Sequence, residues 1–158
     1  PPFIFIGVLF STTNGRLFID GLNLRILTML HIVRIPVELV LYGLYVYKAV
    51  PELMTFEGRN YDIVSGLTAP IIYYLGFVKK QFNTRLLLIW NFICLGLLFN
   101  IVVHAVLSAP FPFQQLAFDQ PNIAVLHAPF NGLPSCVVPL VLLSHLAAIR
   151  QLLRSKAT

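Results

Sequence analysis

NLRILTMLHIVRIPVELVLYGLYVYKAV, from Asn23 to Val50, is the stretch that decides the fold, because it is an apolar run with charged residues inside it. At about 100° per residue, one helical face carries its polar side chains at the spacing of a packed seam: His31, Arg34, Glu38, Tyr42 and Tyr45. At about 1.5 Å per residue, a helix of this length crosses the roughly 30 Å hydrocarbon layer of a membrane. Ionisable groups are costly at that depth, so we expect Arg34 and Glu38 to face protein.

The composition places the chain in a membrane. Of its 158 residues, 58% are hydrophobic and only 11% are charged, whereas a soluble domain carries about 25% charged residues. The net charge of +5 does not indicate a nucleic-acid partner, because the basic residues flank apolar runs. Cys94 and Cys136 lie inside apolar runs without a CxxC spacing, which argues against a zinc or redox motif. We therefore predict an integral membrane protein whose partner is the lipid bilayer.

Apolar periodicity predicts an all-α polytopic helical bundle with four full transmembrane helices, over residues 24–50, 63–78, 86–107 and 133–153. Residues 11–158 form one predicted helical membrane domain. Residues 1–10 (PPFIFIGVLF) are apolar but too short to span, and they lack the basic region and cleavage site of a signal peptide. They are either the inner half of a helix whose beginning is missing or a segment in the membrane interface, and we interpret them as the first, an N-terminal partial span.

Helix breakers and capping residues refine these spans. Pro36 predicts a kink in the first span, since proline removes one helical hydrogen bond. Asn23 is expected to cap that span, and Asn83 or Thr84 the third. The second span is short and contains two glycines and a proline, so we expect it to be bent, tilted or half re-entrant. The proline-rich segment 108–132 is expected to lie in the membrane interface.

The basic residues predict one orientation in the membrane. Eight of the eleven Lys and Arg residues fall on the same side of the four-span topology: Arg16, Arg25, Lys79, Lys80, Arg85, Arg150, Arg154 and Lys156. Cytoplasmic loops carry the excess of Lys and Arg in membrane proteins. The loop 79–85 and the C-terminus are therefore predicted to be cytoplasmic, and the loops 51–62 and 108–132 extracytoplasmic.

Arg34 and Glu38 are the first candidate binding residues. They stand one helical turn apart, with the arginine first, which is the less favourable order for a helical ion pair. One interpretation is an intramembrane site for a proton, an ion or a polar headgroup. The other is a self-paired couple that fixes helix register through hydrogen bonds.

Polar residues on the other spans supply further candidates. His31, Asn91 and His145 lie in the same half of their spans, so they are able to approach one another. Two histidines on separate helices suit a bis-histidine haem, whereas histidine and asparagine also serve as interhelical hydrogen-bond partners. Asn100 and His104 share a face of the third span, either as a proton path toward Glu38 or as packing residues.

The segment Thr55–Asp62 (TFEGRNYD) places two acids, a base and an amide around one glycine. The side chains of Glu57, Arg59, Asn60 and Asp62 either converge on a ligand or close a tight turn. In the second case Arg59 pairs with an acid, and Asn60 or Asp62 caps the second span. The sequence spacing gives no specific reason to include Asp119 and His127, from the loop 108–132, among these candidate residues.

Four sequence segments resemble one family of proteins. They are 34–38 (RIPVE), 55–62 (TFEGRNYD), 110–114 (PFPFQ) and 120–125 (QPNIAV). The resemblance is to a group of small, uncharacterised multi-pass bacterial membrane proteins, and it covers most of the chain from the first span onward. It implies a bacterial origin and assigns no functional residue.

The polar residues lead to a functional hypothesis with two rivals. The leading one is a membrane protein that binds or translocates a small ligand or a proton in a polar pocket between the first, third and fourth spans. The second is a structural or accessory subunit, whose aromatic outer loop docks a membrane-protein partner or a second copy. The third is an embedded enzyme using Glu57, Asp62, His104 or His127, for which HExxH, GxSxG, Walker and Rossmann motifs are all missing.

Overall fold

The computed structural model describes residues 2–155, which form a helical bundle without strands in that range. Its α-helices are α1 (Pro2–Ser11), α2 (Thr13–Asp20), α3 (Leu24–Leu30), α4 (Arg34–Val46), α5 (Ile63–Tyr73), α6 (Thr84–Ser108) and α7 (Val138–Arg154). Three 3-10 turns lie at His31–Val33, Glu52–Met54 and Ala124–Leu126, and π turns at Tyr74–Val78 and Leu133–Val137. The all-α prediction is confirmed. Lys156, counted above among the basic residues, lies outside the described residues.

The deciding stretch forms two helices joined by a 3-10 turn rather than one helix over 24–50. The turn His31–Val33 directly precedes α4, in which Pro36 is the third residue. A proline ring clashes with the carbonyl four residues upstream, here that of Ile32, so the regular helix breaks at the turn. At the other end α4 stops at Val46, and Lys48 takes a left-handed conformation with φ 58°.

The prediction of four full spans plus a partial one is wrong. By length and apolar character, two helical stretches within residues 2–155 are able to cross a membrane, Thr84–Ser108 and Leu133–Arg154. The helices α1 and α2 would form a third only as a broken pair, since they meet at a bend of 96°. The stretch 24–46 is divided by its 3-10 turn, and Ile63–Val78 is too short. An apolar run in the sequence does not show such breaks, so counting apolar runs overcounts spans.

Capping side chains begin the helices where the sequence places them. The Asn23 side chain accepts the Arg25 N–H at 2.9 Å, and the Asn83 side chain accepts the Leu86 N–H at 2.9 Å. Before α5, the Asn60 side chain accepts the Asp62 N–H at 3.0 Å. These bonds satisfy backbone donors that have no partner within the helix.

The interior has apolar clusters at both ends and polar side chains between them. One cluster, next to the loops after α4 and α6, is built from Leu41, Val50, Met54, Leu98, Ile101, Ala124 and Val141. Toward the opposite end lie two more, around Ile19 with Ala147 and around Leu87 with Leu152. The start of α4 and the middle turns of α6 and α7 fall between these clusters, and their buried residues include Arg34, Glu38, Asn91, Ser144 and His145.

Contacts at both ends hold the helices in place. Asp20 at the end of α2 accepts hydrogen bonds from Arg150 at 2.8 and 3.0 Å and pairs with Arg154. At the other end, the backbone N–H groups of Ile123 and Ala124 donate to the Ala49 carbonyl at 3.1 and 3.0 Å. The two loops predicted to share one side of the membrane, 51–62 and 108–132, therefore lie at the same end of the bundle.

Candidate functional site

A buried polar cluster occupies the middle of the bundle. Seven of its residues are at most 6% exposed: His31, Arg34, Glu38, Asn60, Asp62, Asn91 and His145. They come from the turn before α4, from α4 itself, from the segment before α5, and from α6 and α7. His31, Arg34 and Glu38, three of the residues that share the predicted polar face of the stretch 23–50, are thus turned toward protein.

Arg34 is the centre of this cluster. Its Nη1 forms a buried salt bridge with Asp62 and donates to the Cys94 carbonyl at 3.3 Å. Its Nη2 donates to the His145 ring at 2.9 Å. The Nε–H has no partner among the described residues. One guanidinium therefore links α4, α6, α7 and the segment before α5, and it keeps one buried donor unused.

The hydrogen bonds beyond Arg34 fix the tautomer of His145. A guanidinium only donates, so the Nε2 that receives the Arg34 bond must carry a lone pair. The proton then lies on Nδ1, which is 3.0 Å from Asn91 Oδ1. The Asn91 amide donates in turn to the Leu87 carbonyl at 2.9 Å. Every group in this series therefore donates to the next one, from Arg34 on α4 through His145 on α7 to Asn91 on α6.

His31 differs from His145 because neither of its ring nitrogens has a partner within residues 2–155. The two imidazoles stack with centroids 3.9 Å apart and planes 16° apart. The Trp90 ring meets His31 edge-on at 5.5 Å, and its own N–H donates to Thr68 at 3.0 Å. His31 is thus held by ring contacts rather than by hydrogen bonds.

We predict that His31→Phe leaves the purified protein as stable as the original chain or stabilises it by about 1 kcal/mol. Phenylalanine keeps the ring stack and removes two buried polar atoms without partners, whose desolvation is unfavourable. Denaturant unfolding followed by fluorescence of Trp90, the chain's single tryptophan, measures this. The matched variant His145→Phe should destabilise by about 1–3 kcal/mol, because it leaves Arg34 Nη2 without its acceptor and Asn91 Oδ1 without its donor. Equal losses for the two variants would contradict this interpretation.

Glu38 lies one turn beyond Arg34, yet neither residue pairs with the other. The Asn60 amide donates to Glu38 Oε1 at 2.5 Å and to the Met54 carbonyl at 3.0 Å. Glu38 Oε2 has no partner among the residues described. The self-paired couple considered from the sequence is therefore not what the structure shows: Arg34 pairs with Asp62, and Glu38 with Asn60.

A cavity of about 210 Å³ ends on this cluster. Arg34, Glu38 and Asp62 line its polar end. Most of its apolar wall comes from α4, α6, α7 and the π turn before α7, and Phe3 of α1 and two residues of the 3-10 turns, Met54 and Val125, complete it. The residues of the larger part are Val37, Leu41, Leu98, Ile101, Val102, Ala105, Val106, Leu133, Pro134, Val137, Val138 and Val141. The arrangement suits a small apolar molecule whose one polar group reaches the charged end.

Other residues predicted from the sequence lie away from this cavity. The Asn100 amide donates to the Arg59 carbonyl at 2.7 Å, and His104 bonds the Asn100 carbonyl at 2.8 Å within α6. Neither lines the cavity, so the proposed path from His104 to Glu38 has no support in these contacts. Glu57 and Arg59 are exposed. Of the Thr55–Asp62 segment, only Asn60 and Asp62 join the cluster.

The geometry of the two buried histidines does not fit a bis-histidine haem. Axial imidazoles coordinate from opposite faces of the haem plane, whereas the rings of His31 and His145 are stacked directly on each other. Both nitrogens of His145 are also in hydrogen bonds. Residues 2–155 contain no group of three or more His, Cys, Asp or Glu side chains arranged to hold a metal ion.

Sequence reasoning missed two parts of the site. The Cys94 carbonyl, which accepts from Arg34, is a backbone group and gives no side-chain signal. The apolar walls were missed because a leucine or valine that faces a cavity looks the same in the sequence as one that faces lipid. The segment 133–141 gave only the hydropathy of a span.

Comparisons with known proteins place the chain in a family. A search of curated proteins found no match, and no solved structure matches either. One family model, whose description is a domain of unknown function, DUF8737, matches residues 6–153 and so covers nearly the whole chain. The chain, whose cavity ends on the buried cluster around Arg34, therefore belongs to the DUF8737 family.

Proposed function

We propose that this protein is a multi-pass membrane protein that binds a small, largely apolar ligand in the cavity between α4, α6 and α7. The observation that carries the proposal is the pairing of an almost wholly apolar cavity with three buried charged side chains at one end. Arg34, Glu38 and Asp62 supply that end. A site of this kind fixes the orientation of a ligand through one polar contact, while the walls supply the binding energy.

The distribution of side chains supports a membrane location. Large apolar side chains are exposed along the outward face of α6, among them Phe92, Ile93, Phe99 and Val103. Arg34, Glu38 and Asn91, in contrast, are buried inside the bundle. Soluble monomers rarely expose apolar surface on this scale. In the proposed topology the basic end, with Lys79, is cytoplasmic and the loops 51–62 and 108–132 are extracytoplasmic.

The depth of the charged end supports a ligand role. Arg34, the first residue of α4, and Glu38, one turn further on, are buried between the apolar clusters. Charged groups at such positions in membrane proteins are rare and mark substrate or ion sites more often than packing sites. Two buried polar atoms at this end, Arg34 Nε and Glu38 Oε2, have no partner among residues 2–155, which a packing role does not require.

The test is saturable binding of butylbenzene to the full chain in phospholipid nanodiscs, with empty nanodiscs as the correction for partitioning. Ala105 lines the cavity on α6, and Ala105→Phe should fill much of it. We expect the variant to lose binding at least tenfold while it stays monodisperse. Gly96→Phe, also on α6, is the matched control, because a side chain added at Gly96 meets open space. Butylbenzene binding that is unsaturable, or unchanged in Ala105→Phe, would contradict the proposal.

A structural or accessory subunit is the second candidate. The hydrogen bonds that link Arg34, His145 and Asn91 favour a subunit role, because they join three helices and need no ligand. Buried polar contacts of this kind specify how membrane helices pack. This function predicts that Ala105→Phe leaves the protein unimpaired, and that the native protein migrates with a partner or a second copy after gentle solubilisation.

A further inference from the structure

We propose that the ligand of this cavity carries a hydroxyl group, which donates to Glu38 Oε2 and accepts from Arg34 Nε. The inference rests on the proposed binding function and names the headgroup that it requires. Arg34 and Glu38 line the same cavity from one helix, a single turn apart. Each of them keeps one buried polar atom without a partner in the described part of the chain.

The two atoms have complementary chemistry. Arg34 Nε–H only donates, whereas Glu38 Oε2 accepts when the carboxyl group is ionised. Since Asn60 already donates to Oε1, the second oxygen is the one left for a ligand. A buried polar atom without a partner costs free energy, and a ligand that pairs with both atoms recovers that cost on binding.

A hydroxyl is the smallest headgroup that both donates and accepts. An ammonium only donates, so it would leave Arg34 Nε unpaired. A carboxylate only accepts, so it would leave Glu38 Oε2 unpaired and add a third acid beside Glu38 and Asp62. An ether also accepts without donating, which makes it the sharpest comparison.

The volume of the cavity limits the size of the apolar part of the ligand. A cavity of about 210 Å³ is larger than the roughly 150 Å³ cavity that holds benzene in another protein. A single aromatic ring with a short alkyl chain, or an aliphatic chain of similar bulk, therefore fits. The walls offer apolar carbon only, so we place the single polar group of the ligand at the Arg34 end.

The experiment compares three probes that differ only in the headgroup: butylbenzene, 4-butylanisole and 4-butylphenol. Each is titrated into the full chain in phospholipid nanodiscs and corrected for uptake by empty nanodiscs. We expect 4-butylphenol to bind roughly tenfold tighter than either of the other two, as two buried hydrogen bonds allow. Because this comparison uses the unmodified chain, it does not depend on how any variant folds.

A variant locates the effect. Glu38→Met keeps the length of the side chain and removes its oxygens, and the Asn60 amide retains its bond to the Met54 carbonyl. The preference for 4-butylphenol over 4-butylanisole should then fall to about twofold or less, because both ligand oxygens still accept from Arg34 Nε, while butylbenzene binds as before. Glu57→Met, a carboxylate on the exposed part of the loop before α5, should leave the preference unchanged.

The outcomes separate the two proposals. If the three probes bind equally and Ala105→Phe still abolishes binding, the hydroxyl inference is overturned and the proposed pocket stands. In that case water, and not a ligand hydroxyl, pairs with Arg34 Nε and Glu38 Oε2. A preference that survives Glu38→Met also overturns the inference. If none of the probes binds saturably, the proposed binding function fails as well.

Discussion

Asp62→Leu is expected to destabilise the purified protein by about 3–5 kcal/mol, because it leaves the Arg34 guanidinium as a buried charge without a counter-charge. Asp62 is the carboxylate in salt-bridge contact with Arg34, and the two side chains are 8% and 2% exposed. Denaturant unfolding in mild detergent measures the loss. Trp90 fluorescence is a suitable probe, since its ring packs against His31 beside the cluster.

The double variant Arg34→Met with Asp62→Leu should recover part of this loss. Replacing both members of a buried ion pair with apolar residues is often neutral, whereas removing one member is not. Recovery stays partial because His145 Nε2 and the Cys94 carbonyl lose their donor. Asp119→Leu, an exposed acid in the loop 108–132, is the control and should change stability by less than about 0.5 kcal/mol. If Asp62→Leu behaves like this control, the ion pair does not hold the cluster together.

The inward face of the stretch 31–38 could be predicted because a helix repeats every 3.6 residues. His31, Arg34 and Glu38 recur at that spacing in an otherwise apolar run, and all three are buried. The partner of Arg34 could not be predicted. Asp62 lies 28 residues away in the sequence, beyond a loop whose path is set by contacts that no local pattern records. In the sequence, Glu38, one helical turn from Arg34, was the nearer candidate for its ion-pair partner.

The helix positions were easier to predict than the number of membrane spans. Asn23 and Asn83 mark helix starts through local capping chemistry, which the sequence states directly. Whether the stretch 24–46 forms one straight helix depends on which backbone residues change conformation to avoid the clash between the Pro36 ring and the Ile32 carbonyl. The sequence located Pro36, but the break lies at His31–Val33, upstream of it.

The cavity is the part that sequence reasoning could place only roughly. A pocket between the first, third and fourth predicted spans was a hypothesis based on polar residues, and most of the apolar wall of the cavity comes from those same stretches. Asn100 and His104, the polar residues of the third span's other half, do not line it. Their hydrogen bonds run to the Arg59 carbonyl and within α6, contacts that satisfy them locally.

The second large effect is expected at Asn60, which is 0% exposed. Its amide group donates to Glu38 Oε1 and the Met54 carbonyl, and its Oδ1 accepts the Asp62 N–H. Asn60→Leu removes all of these bonds and leaves both oxygens of Glu38 without partners. At about 1 kcal/mol for each net hydrogen bond, the loss in unfolding free energy should reach about 3 kcal/mol.

Asn100→Leu is the matched control for Asn60→Leu, because Asn100 is also an amide that holds the segment before α5, through one bond to the Arg59 carbonyl. It should cost about 1 kcal/mol. The two variants should also differ in ligand binding: Asn60→Leu frees the Glu38 carboxylate to turn and weakens the preference for 4-butylphenol, whereas Asn100→Leu leaves that preference intact. Equal effects of the two variants on stability and on the preference would mean that Asn60 only closes a loop. A selective effect of Asn60→Leu would show that this amide aims Glu38 at the cavity.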